Sequence, residues 1–276
     1  MALTLSTMMQ FHVSTQPNRE KVLHYFRILL DNRLRPTAHT YKVLLDAYGT
    51  LAPASLEDVK RVFDDVVRDP NVRVQGTHWA SLIGAYGLSG QDVEAALEAF
   101  EASSQHPYAR INLASEPVVW EAILAVLAER GTVEQMEVMR ERMVQTGARS
   151  TAYVYNVLIR GYARAGMIDR AREIFESMGD SVEGVAAPNN HPQLLTSSGH
   201  VKPSTVSPHT GIVYREPSTY EAMVRAEVES GSREKAQEVV SRMETRRYPV
   251  AVFLRARSVL DDAVVSSTKA SRRVVR

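Results

Sequence analysis

The stretch "YNVLIRGYARAGMIDRAREIFESM", residues 155–178, carries two apolar stripes at helical spacing, separated by a single glycine. Tyr155, Leu158, Ile159 and Tyr162 recur at i, i+3, i+4 and i+7, which places them on one face of an amphipathic helix. Gly166 interrupts that helix. Ile168, Ala171, Ile174, Phe175 and Met178 mark a second one, with Asp169 near its N-terminus, where a negative charge is favourable. Two short helices joined at a glycine form an antiparallel αα-hairpin. Such a hairpin cannot enclose a core alone, so it is expected to stack on neighbours of the same kind.

The pattern returns along the chain in "TYKVLLDAY" from Thr40, "HWASLIGAYGLSG" from His78, "VWEAILAVLAERG" from Val119 and "TYEAMVRAEVESG" from Thr219. An aromatic residue opens the first helix of each copy: Tyr41, Trp79, Trp120, Tyr155 and Tyr220, separated by 38, 41, 35 and 65 residues. Most copies continue through a glycine into a second amphipathic segment such as "DVEAALEAF", "TVEQMEVMRERM" or "REKAQEVVSRM". Spacings in this range belong to helical-hairpin arrays, and the longest reads as one period with about 30 residues inserted. The five aromatics are expected to pack between adjacent hairpins, and Met136, Met139 and Met143 to fill a core stripe.

Composition sets the outer bounds. The chain has 276 residues, 44% apolar and 24% charged, a soluble globular profile long enough for an extended array. The absence of cysteine excludes disulfide staples, cysteine-ligated metal sites and thiol catalysis. A net charge of +1 gives no global pull toward nucleic acid or an anionic membrane, so RNA binding would rest on a local surface. No apolar run approaches the roughly 20 residues of a spanning helix, and "MALTLSTMMQFHVSTQ" shows no targeting sequence. No Walker loop, His-Glu-x-x-His or Gly-x-Ser-x-Gly is present, and the adjacent aspartates of "FDDVV" and "LDDAVV" point to different sides of a helix. His191, His200 and His209, spaced by nine, fit no familiar zinc pattern. The chain therefore reads as non-enzymatic, with no cofactor and no metal site.

The order aromatic-Asn-x-Leu-Ile-x-Gly-Tyr-x-x-x-Gly, then Ala-x-x-x-Phe-x-x-Met, resembles the pentatricopeptide repeat, with the other copies as degenerate versions. Pro36 and Pro217 keep the proline that precedes the first helix in this family, whereas the tryptophan-leucine-glycine pattern of tetratricopeptide repeats does not recur. The resemblance implies an all-α fold, a right-handed α-solenoid of tandem helix-turn-helix repeats with the first helices on the concave face. It also implies single-stranded RNA as ligand, one base per repeat. In the family the second residue sandwiches the base while the fifth and last residues hydrogen-bond its edge.

Here the second residues are His39, Thr77, Val118, Tyr153, Ser218 and Val252, the fifth Lys42, Ala80, Glu121, Asn156, Glu221 and Arg255, and the last Thr37, Gln75, Glu116, Thr151, Glu216 and Val250. The set expected to contact RNA is His39, Lys42, Gln75, Thr77, Val118, Thr151, Tyr153, Asn156 and Arg255. Ser218 is a poor sandwich residue. Only Asn156 is a fifth residue of the family's usual type, its partner Glu216 lies across the insertion, and Glu121 and Glu221 carry the wrong charge for bases and phosphates. These pairs do not decode an RNA sequence.

The expected organisation is repeats over 1–178 with a partial first unit near Thr4–Leu34, a disordered insertion over 179–215, final repeats over 216–265 and a basic disordered tail over 266–276. Both ends look abrupt, as in part of a longer array. The expected function is a single-stranded RNA-binding factor for mitochondrial mRNA or rRNA, in processing, stability or translation, with the mitochondrial location implied by the resemblance alone. The alternative is a scaffold for protein partners, such as an assembly or ribosome-associated factor, which the acidic fifth positions and low net charge favour.

Overall fold

The computed structural model describes residues 1–107, 117–180, 212–246 and 248–261, and they divide into two compact units, Met1–Arg149 and Ser150–Arg276. The first unit is a stack of hairpins: α1 Ala2–Ser14 with α2 Arg19–Asp31, α3 Ala38–Thr50 with α4 Leu56–Arg68, α5 Gly76–Gly84 with α6 Val93–Gln105, and α7 Val118–Arg130 with α8 Val133–Gln145. The second unit contains α9 Ala152–Arg164 with α10 Ile168–Ser177, α11 Pro217–Glu229 with α12 Arg233–Thr245, and a further helix, α13, over 250–261.

Local chemistry starts these helices where the sequence places short polar residues. Asn18 Oδ1 accepts from the Lys21 N–H at 2.9 Å, Asp92 Oδ1 from the Ala95 N–H at 2.9 Å, and Thr132 and Gln135 cap each other reciprocally at 3.3 and 3.0 Å. Each such cap contributes about 1 kcal/mol. Gly166 and Gly231 end α9 and α11 at φ of +75° and +79°, a left-handed conformation that costs a residue with a Cβ. Contrary to the partial first unit expected, Ala2–Asp31 is a full hairpin. Its first helix opens without an aromatic residue or a side-chain cap.

Neighbouring hairpins join through a recurring set of contacts. The phenylalanine of one second helix packs on the aromatic that opens the next first helix: Phe63 on Trp79 at 4.6 Å, Phe100 on Trp120 at 4.8 Å and Phe175 on Tyr220 at 5.5 Å. Those three opening aromatics are buried, as are Met136, Met139 and Met143. Tyr41 and Tyr155 are half-buried, Tyr41 donating to Asp69 and Tyr155 packing on Ala152, Met178 and Val213. The acidic residue after the phenylalanine is then held by an arginine of the next second helix. Arg142 grips Glu101 at 2.5 and 3.2 Å and lies over Phe100, and Arg242 grips Glu176 at 2.6 and 3.3 Å and lies over Phe175.

The first helices also pack on one another. Thr40 Oγ1 lies 2.8 Å from Ser6 Oγ of α1. Gly87, in the π-helical turn Ala85–Ser89 after α5, sits so close to Val126 of α7 that a Cβ would overlap it. His78 is fully buried; its Nδ1 accepts from the Gln75 N–H at 3.0 Å, so its Nε2 carries the proton and donates to the Ala38 carbonyl at 2.8 Å. Burial holds the His78 pKa below its ordinary value.

The 179–215 segment, expected to be disordered throughout, is tied at both ends; residues 181–211 lie outside the described residues. The Gly179 N–H donates to the Val213 carbonyl at 2.9 Å and the Arg215 N–H to the Gly179 carbonyl at 2.8 Å. The Arg215 side chain is 4% exposed, donates to the Phe175 carbonyl at 2.9 Å, pairs with Glu176 and Asp180 at 3.1 and 3.0 Å, and stacks on Phe175. Entry and exit of the insertion are thus pinned to one point, and α11 packs on α9 as the next helix of the series. Arg172 of α10 adds a two-pronged bond to the buried Glu227 of α11 at 2.8 and 2.7 Å.

Candidate nucleic-acid interface

Closure of the insertion brings the N-terminal turns of α9 and α11 side by side. Between them lies a cleft of about 330 Å³, lined by Tyr153, Asn156 and Arg160 of α9 and by Glu216, Ser218, Glu221, Ala222 and Arg225 of α11. This volume lies at the small end of ligand clefts, which run from about 300 to 1,000 Å³. Helical periodicity explains the wall on each side: 153, 156 and 160 share one face of α9, and 218, 221, 222 and 225 share one face of α11.

The chemistry of the cleft is mixed. The Tyr153 ring is 48% exposed, offering an aromatic face. Asn156 is buried, and its Nδ2 donates to Ser218 Oγ at 2.9 Å while its Oδ1 has no hydrogen-bond partner, an arrangement that costs about 1–3 kcal/mol. Arg225 pairs with Glu221 at 3.1 Å, one helical turn apart, and both Arg160 and Arg225 reach solvent. The aromatic face and the amide can stack on and hydrogen-bond a planar ligand, while the two guanidinium groups are balanced by the carboxylates of Glu216 and Glu221 in the same lining.

The expected contact residues distribute unevenly. Tyr153 and Asn156 meet in the cleft. Thr151 is the N-cap of α9, its Oγ1 accepting from the Val154 N–H at 3.3 Å. In the first unit, His39 and Gln75 are exposed at the starts of α3 and α5, Thr77 and Val118 are half-buried in the first turns of α5 and α7, and Lys42 is tied to Asp46 at 2.5 Å. Asp46 also accepts from Ser81 of α5 at 2.6 Å, so Lys42 shares its carboxylate partner with the next first helix. Arg255 is exposed on α13, and Glu116 lies outside the described residues. Reading the family positions alone missed Arg160 and Arg225, although each follows a named fifth position at i+4, the spacing that keeps two residues on one helix face.

Among the described residues, no group of three or more His, Cys, Asp or Glu could hold a metal ion, and no helix is long and apolar enough to cross a membrane. A family model described as "PPR repeat" matches residues 153–181, which begins at the exposed tyrosine of the cleft and contains Asn156. The chain is built of pentatricopeptide repeats. This repeat array is 32% identical over 257 residues to the pentatricopeptide repeat-containing protein 5, mitochondrial, of Schizosaccharomyces pombe, an alignment covering 93% of the chain and 18% of that relative. Two crystal structures of the pentatricopeptide repeat protein PPR10 in complex with an 18-nt psaJ RNA element share the fold at a TM-score of 0.57 and 16% identity, covering 89% of the chain and 30% of theirs. The array is thus an all-α solenoid of tandem helix-turn-helix repeats, and it spans less than a third of the length of each of these proteins.

Proposed function

We propose that this chain is a single-stranded RNA-binding segment that acts without catalysis in mitochondrial RNA processing, stability or translation. The observation that carries the reading is the cleft between α9 and α11, where an aromatic face, a buried amide and two arginines converge on the first helices of adjacent repeats. The complexes of PPR10 with an RNA element and the mitochondrial designation of the yeast relative support the same direction. The mechanism is occupancy: a strand held along the first helices is shielded from nucleases or kept from pairing.

The competing reading is a protein scaffold, which Glu216 and Glu221 in the cleft and the net charge of +1 favour. Titrating the purified chain onto a fluorescent single-stranded RNA of random sequence at several salt concentrations separates the two. Binding whose logarithm falls linearly with log salt supports the RNA reading. Absence of salt-dependent binding, together with no RNA crosslinked in cells, moves the chain to the scaffold class.

A further inference from the structure

The third residue of a first helix does two jobs in this array, and the third repeat does them with a different chemistry. In α3, Thr40 Oγ1 accepts from the Thr37 N–H at 3.0 Å, which caps the helix start, and lies 2.8 Å from Ser6 Oγ of the preceding first helix. In α11, Thr219 Oγ1 accepts from the Glu216 N–H at 3.2 Å. His78 stands at the same place in α5: its Nδ1 accepts from the Gln75 N–H at 3.0 Å and its Nε2–H donates to the Ala38 carbonyl of α3 at 2.8 Å. All three side chains are fully buried. A threonine hydroxyl keeps its bonds at any pH, whereas an imidazole makes this pair in one tautomer of its neutral form.

We infer that His78 makes the joint between the second and third repeats acid-labile: a proton taken up on Nδ1 uncaps α5 and frees its first turn from α3, while the joint at Thr40 holds. The added Nδ1–H faces the Gln75 N–H, so a hydrogen bond becomes an opposition of two donors. The Nε2 bond to Ala38 tolerates either form, but a charged ring with no exposed surface has to reach water or a counter-charge. Among the described residues, the charge that acts on the ring from the helices packed on α5, namely α3, α4, α6 and α7, is Asp46 of α3. That carboxylate is already paired with Lys42 at 2.5 Å and accepts from Ser81 at 2.6 Å. Swinging toward solvent is the route left for hydrating the ring, and it gives up the Ala38 bond as well. His39 and Gln75 are exposed at the starts of the two helices so joined, so their spacing is fixed by the His78 bridge at neutral pH and loosens in acid. Two other imidazoles lie nearby and titrate too: His39 itself, beside Ala38, and His106 at the end of α6, its ring 5.7 Å from that of Trp79.

The test is backbone hydrogen exchange on the full chain from about pH 7.5 to about pH 5, each rate divided by that of the unprotected amide so that the pH dependence of the exchange chemistry cancels. Protection of the Gln75 backbone N–H is expected to fall as pH drops below about 6.5, approaching about tenfold per pH unit, the slope of one coupled proton. The Thr37 N–H, bonded to Thr40 Oγ1 instead, is expected to keep its protection. His78→Thr installs the side chain that the second repeat uses and should hold the Gln75 N–H flat across the range. His78→Gln, which retains an acceptor, replaces it should the smaller threonine fail to fold. His39→Gln and His106→Gln should each leave the fall in place. Gln75 protection that does not change with pH, or that falls in step with the Thr37 N–H, overturns the inference. So does a fall that survives in the folded His78 variant or vanishes in either of the other two.

Discussion

Arg172→Ala tests how adjacent repeats of the second unit are held together. Arg172 is about one-fifth exposed at 21%, its partner Glu227 only 2%, and the pair is joined at 2.8 and 2.7 Å, with Ser232 Oγ accepting a further bond at 3.2 Å. Removing the guanidinium leaves a carboxylate buried between α10 and α11 with no counter-charge. Breaking such a pair costs about 3–5 kcal/mol when both partners are fully desolvated. The partial exposure of Arg172 lets water screen the pair, so the lower end, about 3 kcal/mol, applies. The bond from Arg172 to Asp169 adds little, since Asp169 is 87% exposed. Urea unfolding of the full chain at neutral pH, followed by circular dichroism, measures the loss. The double variant Arg172→Met with Glu227→Leu is expected to recover most of it, because the cost lies in an uncompensated buried charge rather than in lost attraction. A loss below about 1 kcal/mol for Arg172→Ala is the range of a surface ion pair and would refute the reasoning.

Three further outcomes are expected. His78 has a folded pKa below the ordinary 6.5, so the unfolded chain binds the extra proton more readily; the stability this group contributes is fully present above pH 6.5 and is lost as pH falls from there through the folded value. Its surroundings are the Ala38 carbonyl, the Gln75 N–H and the nearby Asp46 charge, and His78→Gln should flatten that slope in urea midpoints measured against pH. Gly166→Ala places a Cβ at φ +75°, where no neighbour crowds it, so backbone strain alone should cost about 1 kcal/mol, read from the same midpoints; an unchanged midpoint would contradict the left-handed turn. Arg160→Glu with Arg225→Glu should weaken binding to single-stranded RNA and flatten its log–log salt slope by about 1.4, two contacts at roughly 0.7 each, and an unchanged slope removes both arginines from the interface.

The five hairpins that open on an aromatic residue were legible because each writes its own pattern. Stripes at 3.6-residue spacing, caps such as Thr132 with Gln135, and an aromatic at each first-helix start are local signals, and local signals survive in a linear string. The packing of Trp79, Trp120 and Tyr220 was legible for the same reason, since a large apolar ring at a repeated position has to be covered by the repeat before it. The first hairpin was only half visible: Leu5 stands where the other copies carry an aromatic ring, and no side chain caps α1.

By itself, then, the sequence determined the class of the protein, an array of helical hairpins with one insertion in a junction. The tertiary structure decided which of the candidate residues meet. Asn156 and Ser218 form a hydrogen bond across 62 positions because Gly179, Val213 and Arg215 clip the insertion closed and Arg215 is buried on Phe175 and paired with Glu176 and Asp180. Lys42, a lone cation in the string, stands in an ion pair with Asp46 at 2.5 Å, and Asp46 in turn accepts from Ser81 of the next first helix. The physical reason is common to both cases: helical periodicity is a property of consecutive residues, whereas hydrogen bonds and ion pairs between repeats depend on how closely separate helices approach, and that distance is set by packing.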